Sequence, residues 1–167
     1  AFKPFVYATA LQQGYAPDYL LDDTKIPPQN ISDMKYWPRN YNDEYLGKIP
    51  MSYGLANSVN TVTVQLAHLV GLKQIIKVAK DFGIRSDLSS NLTLSLGSSE
   101  VSLLSLTTAY AGFLNLGHRV YPRGWLDLRL KSTNEVLIKS FEQEKEKVLS
   151  RGASKALNAM LVSTIES

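Results

Sequence analysis

Phe2 to Gln13 is apolar on nearly every side, with Phe2, Phe5, Val6, Ala10 and Leu11 prominent. A helix that is hydrophobic all round has no face to give to water, so it must be buried. Pro4 fits only the first turn of a helix, which places the start within a residue or two of Ala1. Gly14 supplies the C-terminal cap. The rest of the chain therefore has to supply the cover for one central helix.

Tyr15 to Pro50 shows no sustained period and is rich in Pro, Asp, Asn and Tyr. A stretch of that length without regular structure is usually functional or packed against something. Pro27-Pro28 and the run Tyr36-Trp37-Pro38-Arg39-Asn40-Tyr41 read as ordered extended loops. Tyr41 and Trp37 read as loop-packing residues. From Pro50 the pattern turns helical: one short helix ends near Asn57, and a second runs from about Val59 to Val70 before Gly71. A third carries Leu72, Ile75, Ile76, Ala79 and Phe82 at helical spacing, and Gly83 stops it.

A loop from Ile84 to Ser98 leads into a longer helix, with Ser98 or Ser99 as cap and Glu100 in the first turn. Leu103, Leu104, Leu106, Ala109, Tyr110, Phe113 and Leu114 give that helix a wide apolar face, and Gly117 ends it. Trp125 to Leu130 alternates, Ser132-Thr133-Asn134 is a turn, and Val136-Leu137-Ile138 completes a hairpin. Glu142 to Lys147 reads as a mixed-charge surface linker. An amphipathic helix spans about Ser150 to Ile165.

The 167 residues suit one domain with an adequate core. Net charge is +3, and Lys73, Lys77 and Lys80 form a solvated helix face, so no nucleic-acid partner is indicated. No apolar run approaches the ~18 residues of a membrane span, and the start carries no leader pattern. With no cysteine there is no disulfide framework, thiol nucleophile or thiolate metal site. Only His68 and His118 are present, and both read as structural or solvent-facing. Asp22, Asp23, Asp43 and Glu44 lack metal spacing, so the reading contains no metal and no cofactor. Chemistry is left to Ser, Lys, Asn and carboxylates.

Lys3 is the first candidate. It lies in the first turn of a helix walled by Phe2 and Phe5. Burial and the positive end of the helix dipole both disfavour its ammonium, so its pKa should fall and it becomes a proton acceptor. A residue three positions earlier would share its helix face. Equally, the stem could pack while the head reaches water. Ser58 and Asn60 form the second candidate, two residues apart at a helix junction. A hydroxyl there can relay a proton, and a carboxamide can bond a peptide-like substrate. The plainer alternative is that Asn57 or Ser58 caps the helix that follows.

Longer blocks bear on the choice. Phe2-Lys3-Pro4-Phe5-Val6-Tyr7-Ala8, Trp37-Pro38-Arg39-Asn40-Tyr41, Leu55-Ala56-Asn57-Ser58-Val59-Asn60 and the stretch L-S-L-G-S-S-E-V-S-L-L-S-L-T-T-A-Y-A-G-F-L-N-L-G from Leu94 to Gly117 stand in one order. Together they resemble the class A penicillin-binding proteins, the bifunctional bacterial peptidoglycan synthases, from Ala1 to about Gly124. Beyond that the resemblance is loose.

The resemblance implies an α/β (α+β) penicillin-recognising transpeptidase fold, an antiparallel sheet covered by helices and joined to a helical lobe. This chain would supply mainly that lobe and a small hairpin. In such enzymes the serine of an S-x-x-K motif attacks the penultimate D-Ala carbonyl of a stem peptide, and an amine from a neighbouring strand resolves the acyl-enzyme. Lys3 matches the lysine of that motif, Ser58 the serine of S-x-N, and Asn60 its asparagine. The implied roles are base or relay for Lys3, proton transfer to the leaving amine for Ser58, and orientation for Asn60.

The nucleophile is then expected immediately before Ala1, and a K-[ST]-G strand beyond Ser167, so residues 1–167 read as a partial domain that does not turn over alone. The implied partners are stem peptides ending in D-Ala-D-Ala and β-lactam antibiotics. The implied location is the periplasmic face of the cytoplasmic membrane, reached through an anchor elsewhere in the protein that also carries a glycosyltransferase domain. Three other readings stay open: a β-lactamase or D,D-carboxypeptidase relative, a non-catalytic β-lactam-binding or scaffold remnant, and a helical interaction domain whose S-x-N is only a cap. Under the family reading the sequons Asn30-Ile31-Ser32 and Asn91-Leu92-Thr93 are coincidental.

Overall fold

A computed structural model describes residues 1–27, 37–140 and 146–166. Helix α1 (Lys3–Gln12) is the centre of the molecule, and every residue from Pro4 to Leu11 is buried. Gly14 takes a left-handed φ of 96°, and Tyr15 N–H returns to the Ala10 carbonyl, closing the helix as a glycine cap does. Around α1 pack helices α2 (Met51–Ala56), α3 (Asn60–Val70), α4 (Leu72–Asp81) and α6 (Arg151–Glu166) and the 3-10 helix Leu92–Leu96. Helix α5 (Leu103–Leu114) joins through aromatic contacts. Phe113 sits 5.3 Å from Phe5 and 4.9 Å from Phe82, ring centre to ring centre, which ties α5 to both α1 and α4.

Among the described residues, two short antiparallel sheets complete the fold. Strand β1 (Leu20–Asp23) pairs with β2 (Gly47–Pro50), Leu21 opposite Ile49 and Asp23 opposite Gly47. This pair lies inside the stretch expected to lack regular structure. Each strand has only four residues, and 23 residues lie between Asp23 and Gly47 in the sequence, so neither has a periodic signature of its own. Strands β3 (Asp127–Arg129) and β4 (Val136–Lys139) make the expected hairpin, with an irregularity between Leu128 and Arg129. Leu128, Leu137 and Ile138 are all exposed on it.

The helix expected from Ser98 begins later. Ser102 is the N-cap, its hydroxyl accepting from Ser105 N–H. The preceding Leu92–Leu96 segment instead tightens into the 3-10 helix, with the Asn91 side chain accepting from Thr93 N–H. The same helix stops at Leu114 and not at Gly117. Leu116 and Gly117 both take positive φ, turning the chain so that the Gly117 carbonyl receives Val148 N–H and Leu149 N–H. Half of the wide apolar face of α5 is uncovered, with Leu103 79% and Leu114 74% exposed. Trp37 packs as expected, donating its indole N–H to the Thr24 carbonyl, whereas Tyr41 is fully exposed. Pro28, the Asn30 sequon, Tyr36 and residues 142–145 of the charged linker lie outside the described residues.

Candidate active site

The end of α1 meets the α2–α3 junction because Gly54 lets two helices touch. A Cβ on Gly54 would lie 2.6 Å from Val62 Cγ1 and 3.1 Å from the Tyr7 hydroxyl. Tyr7 is fully buried and shares a hydrogen bond of 3.1 Å with Thr63 Oγ1; burial pushes its phenol well above the usual tyrosine range. These contacts bring residues 55 positions apart into one corner.

In that corner Lys3 Nζ donates to three oxygens: the Ser58 carbonyl at 2.5 Å, Ser58 Oγ at 3.0 Å and Asn60 Oδ1 at 2.7 Å. An ammonium has three donors, so all of them are used. Burial lowers the Lys3 pKa from 10.5 to about 8, the direction the residues around it predict.

Ser58 has a positive φ of 54°, an uncommon conformation for a residue with a Cβ. It is not the cap of α3, and neither is Asn57, whose amide turns back to the Tyr53 carbonyl. The kink at Ser58 turns its carbonyl and hydroxyl toward the same Nζ. Asn60, the first residue of α3, directs its own Nδ2 to the Arg39 carbonyl at 2.9 Å, which leaves Oδ1 for Lys3.

The three side chains stand at the polar end of a cavity of about 680 Å³, whose walls include Leu55, Phe113, Leu161 and Val162. A largely apolar cleft with a few convergent polar groups is the usual form of a site for an organic substrate. Tyr110 borders it and donates to the Ala1 carbonyl at 2.6 Å, holding the chain beside Lys3. A second, more polar hollow of about 310 Å³ lies on the other side of Ser58, bordered by Tyr41, Asn42, Glu44 and Tyr53. Among the described residues no group of His, Asp or Glu converges as metal ligands, and no single helix is long and apolar enough to cross a membrane.

Two polar residues at this corner carry no role in the sequence reading. Asp23 is 2% exposed and accepts from Asn40 Nδ2, Thr61 Oγ1 and Leu46 N–H at 2.7, 2.5 and 2.9 Å. Asn40 Oδ1 in turn accepts from the first backbone N–H groups of α3, those of Asn60 and Thr61. Asn40 is thus the cap of α3, supplied by a loop 20 residues away. Asn40 stood inside a recognisable block, but nothing local revealed its partners.

Residues 1–166 match the model of the penicillin-binding protein transpeptidase domain. The chain belongs to that family. It is 39% identical over 121 residues to penicillin-binding protein 1A of Rickettsia felis, covering 72% of this chain and 15% of the relative. Penicillin-binding protein 1A of Aquifex aeolicus is 36% identical over 123 residues, covering 73% and 17%. The chain therefore spans about a sixth of the length of these class A relatives.

Solved penicillin-binding proteins show the same fold. Penicillin-binding protein 1A of Haemophilus influenzae superposes with a TM-score of 0.81 at 22% identity, over 99% of this chain and 29% of that one. Penicillin-binding protein A of Mycobacterium tuberculosis, solved as an imipenem acyl-enzyme complex, superposes with a TM-score of 0.82 at 19% identity, over 99% and 42%.

Proposed function

We propose that the protein carrying this chain is a serine-type D-Ala-D-Ala transpeptidase that cross-links peptidoglycan stem peptides and is acylated by β-lactams. The observation that carries this reading is the contact of Lys3 Nζ with both Ser58 Oγ and Asn60 Oδ1 at the polar end of the cleft. It is supported by membership of the transpeptidase family and by the names of the relatives.

In this mechanism a serine one helical turn before Lys3, outside residues 1–167, is the nucleophile. Neutral Lys3 accepts its hydroxyl proton as the oxygen adds to the penultimate D-Ala carbonyl. The proton returns through Lys3 and Ser58 Oγ to the departing nitrogen, the C–N bond breaks, and D-Ala leaves with an acyl-serine behind. The acceptor amine then adds to that ester, gives up a proton by the same relay, and expels the serine to form the cross-link. Asn60 keeps Lys3 aimed and offers its amide to the stem peptide. In a β-lactam the ring amide takes the place of the scissile bond. Backbone donors from a K-[ST]-G strand would hold the oxyanion, each worth roughly 3 kcal/mol.

The reaction belongs at the outer face of the cytoplasmic membrane, where stem peptides are displayed. An anchor and a glycosyltransferase domain in the longer protein follow from the class A resemblance. The test is covalent labelling of the full-length protein by a fluorescent penicillin. Labelling is expected in the native protein and lost in Lys3→Ala and Ser58→Ala. Equal labelling of Lys3→Ala would overturn the reading.

A further inference from the structure

One hydrogen-bond chain at the site corner reaches the cleft only through Asn60. Asp23 ends β1, Asn40 lies 17 residues further along the chain, and both are buried. Asn40 uses all four of its amide valences. Nδ2 donates to Asp23 Oδ1 at 2.7 Å and to the Glu44 carbonyl at 2.9 Å; Oδ1 accepts from Asn60 N–H at 3.1 Å and Thr61 N–H at 3.3 Å. The Asp23 carboxylate has only acceptors, so it dictates which end of the Asn40 amide faces it. The amide oxygen is thereby committed to α3.

Thr61 is bound twice, through its backbone N–H to Asn40 and its hydroxyl to Asp23. The adjacent Arg39 carbonyl receives Asn60 Nδ2. Residues 39 and 40 consequently hold both the backbone and the side chain of Asn60, and the remaining atom of that side chain, Oδ1, meets Lys3. A cap alone could come from the residue next to the helix. A cap delivered from β1 and a distant loop fixes where the helix starts relative to Lys3.

We infer that Asn40, oriented by buried Asp23, is a positioning residue that sets the Asn60 amide against Lys3 and so controls the rate of the acyl-transfer step. This rests on the transpeptidase reading above. Small misplacements of a catalytic group can slow chemistry by up to about 100-fold. Asn40→Asp retains an oxygen for the two helix N–H groups, but it removes the donors and sets a second carboxylate against Asp23. Asp23→Asn/Asn40→Asp restores a donor–acceptor pair of reversed polarity.

The experiment follows acylation of the full-length protein by a fluorescent penicillin over a range of concentrations, separating non-covalent affinity from the acylation rate at saturation. Melting temperature is recorded alongside. Asn40→Asp is expected to slow saturated acylation by roughly 10- to 100-fold with affinity unchanged, and the double substitution to recover part of that loss. Should Asn40→Asp fail to fold, Asp23→Asn carries the test with the same two readouts. A folded variant acylating at the native rate overturns the proposal, as does a loss that matches its unfolded fraction. Lys3→Ala is the separate arm. If it acylates like the native protein, the transpeptidase reading fails and this proposal with it; if it is silent, the Asn40 result stands by itself.

Discussion

Lys3 and Ser58 are joined twice, the ammonium donating to the Ser58 carbonyl at 2.5 Å and to its hydroxyl at 3.0 Å, and the second residue is held at a φ of 54°. The backbone at Ser58 is strained in order to present both oxygens to one nitrogen. Left-handed backbone costs a residue with a Cβ roughly 1–2 kcal/mol, a cost glycine avoids. Ser58→Gly should therefore melt no lower than Ser58→Ala, yet both should lose acylation, because both lack the hydroxyl. Paired melting curves and penicillin labelling measure this. A Gly variant that melts well below the Ala variant contradicts the strain.

Lys3 sets a pH dependence. Burial brings its pKa from 10.5 to about 8, so at pH 7 about one lysine in ten is neutral and able to accept a proton. The acylation rate should rise with pH through a midpoint near 8 and then level off. The same shift has a stability consequence of defined sign. Above about 8 the folded protein has released this proton while the unfolded chain holds it up to 10.5, so stability rises with pH across that window. Solvent around the partly exposed amine screens the effect. Lysine side-chain NMR checks the midpoint directly, and a Lys3 titration at the ordinary 10.5 would remove the base from the mechanism.

Gly54 and Gly152 should respond oppositely to alanine. At Gly54 the new methyl would sit 2.6 Å from Val62 Cγ1, a β-branched side chain with little rotamer freedom in α3. The cost is about 1–3 kcal/mol, accompanied by slower acylation as α2 moves away from α3. Gly152 lies in α6 with nothing within 4 Å of its Cβ position, and alanine there should stabilise by about 0.5–1 kcal/mol. Chemical denaturation of both variants is sufficient. A neutral Gly54→Ala would mean that α2 and α3 can separate at this crossing without cost.

Thr61→Val keeps the shape of the side chain but takes a donor from the buried Asp23 carboxylate. A loss of about 1–3 kcal/mol is expected, as for leaving a buried polar group short of a partner. Unchanged stability would indicate that water replaces the hydroxyl.

How much could be read from the residues alone depended on how local the cause was. Helix α1 was legible because its own side chains leave no polar face, α3 and α4 because apolar residues recur at helical spacing beside glycine stops, and α6 by its amphipathic pattern alone. The hairpin β3–β4 followed from alternation around Ser132-Thr133-Asn134. The start of α5 was misplaced because Ser98, Ser99 and Glu100 imitate a cap, whereas the hydroxyl that reaches a helix N–H belongs to Ser102. The pairing of β1 with β2 escaped notice because no short strand announces a partner more than 20 residues away.

At the site, Lys3, Ser58 and Asn60 could be grouped by family resemblance, and the structure brings those three side chains together. Capping by Ser58 or Asn57, the plainer expectation, gave way to capping by Asn40. In the sequence Asp23 stood only as one of four acids without metal spacing. Its burial is the work of donors on three separate segments, none adjacent to it in sequence.

The β3–β4 ribbon carries a practical consequence. It has two strands, both outer edges unpaired among the described residues, and leucine and isoleucine side chains open to water. Such a ribbon is a template for further strands. Expressed as an isolated 167-residue piece, the protein would be drawn into self-association through this hairpin, and concentration-dependent light scattering, relieved by lysine at Leu128 and Ile138, would reveal it.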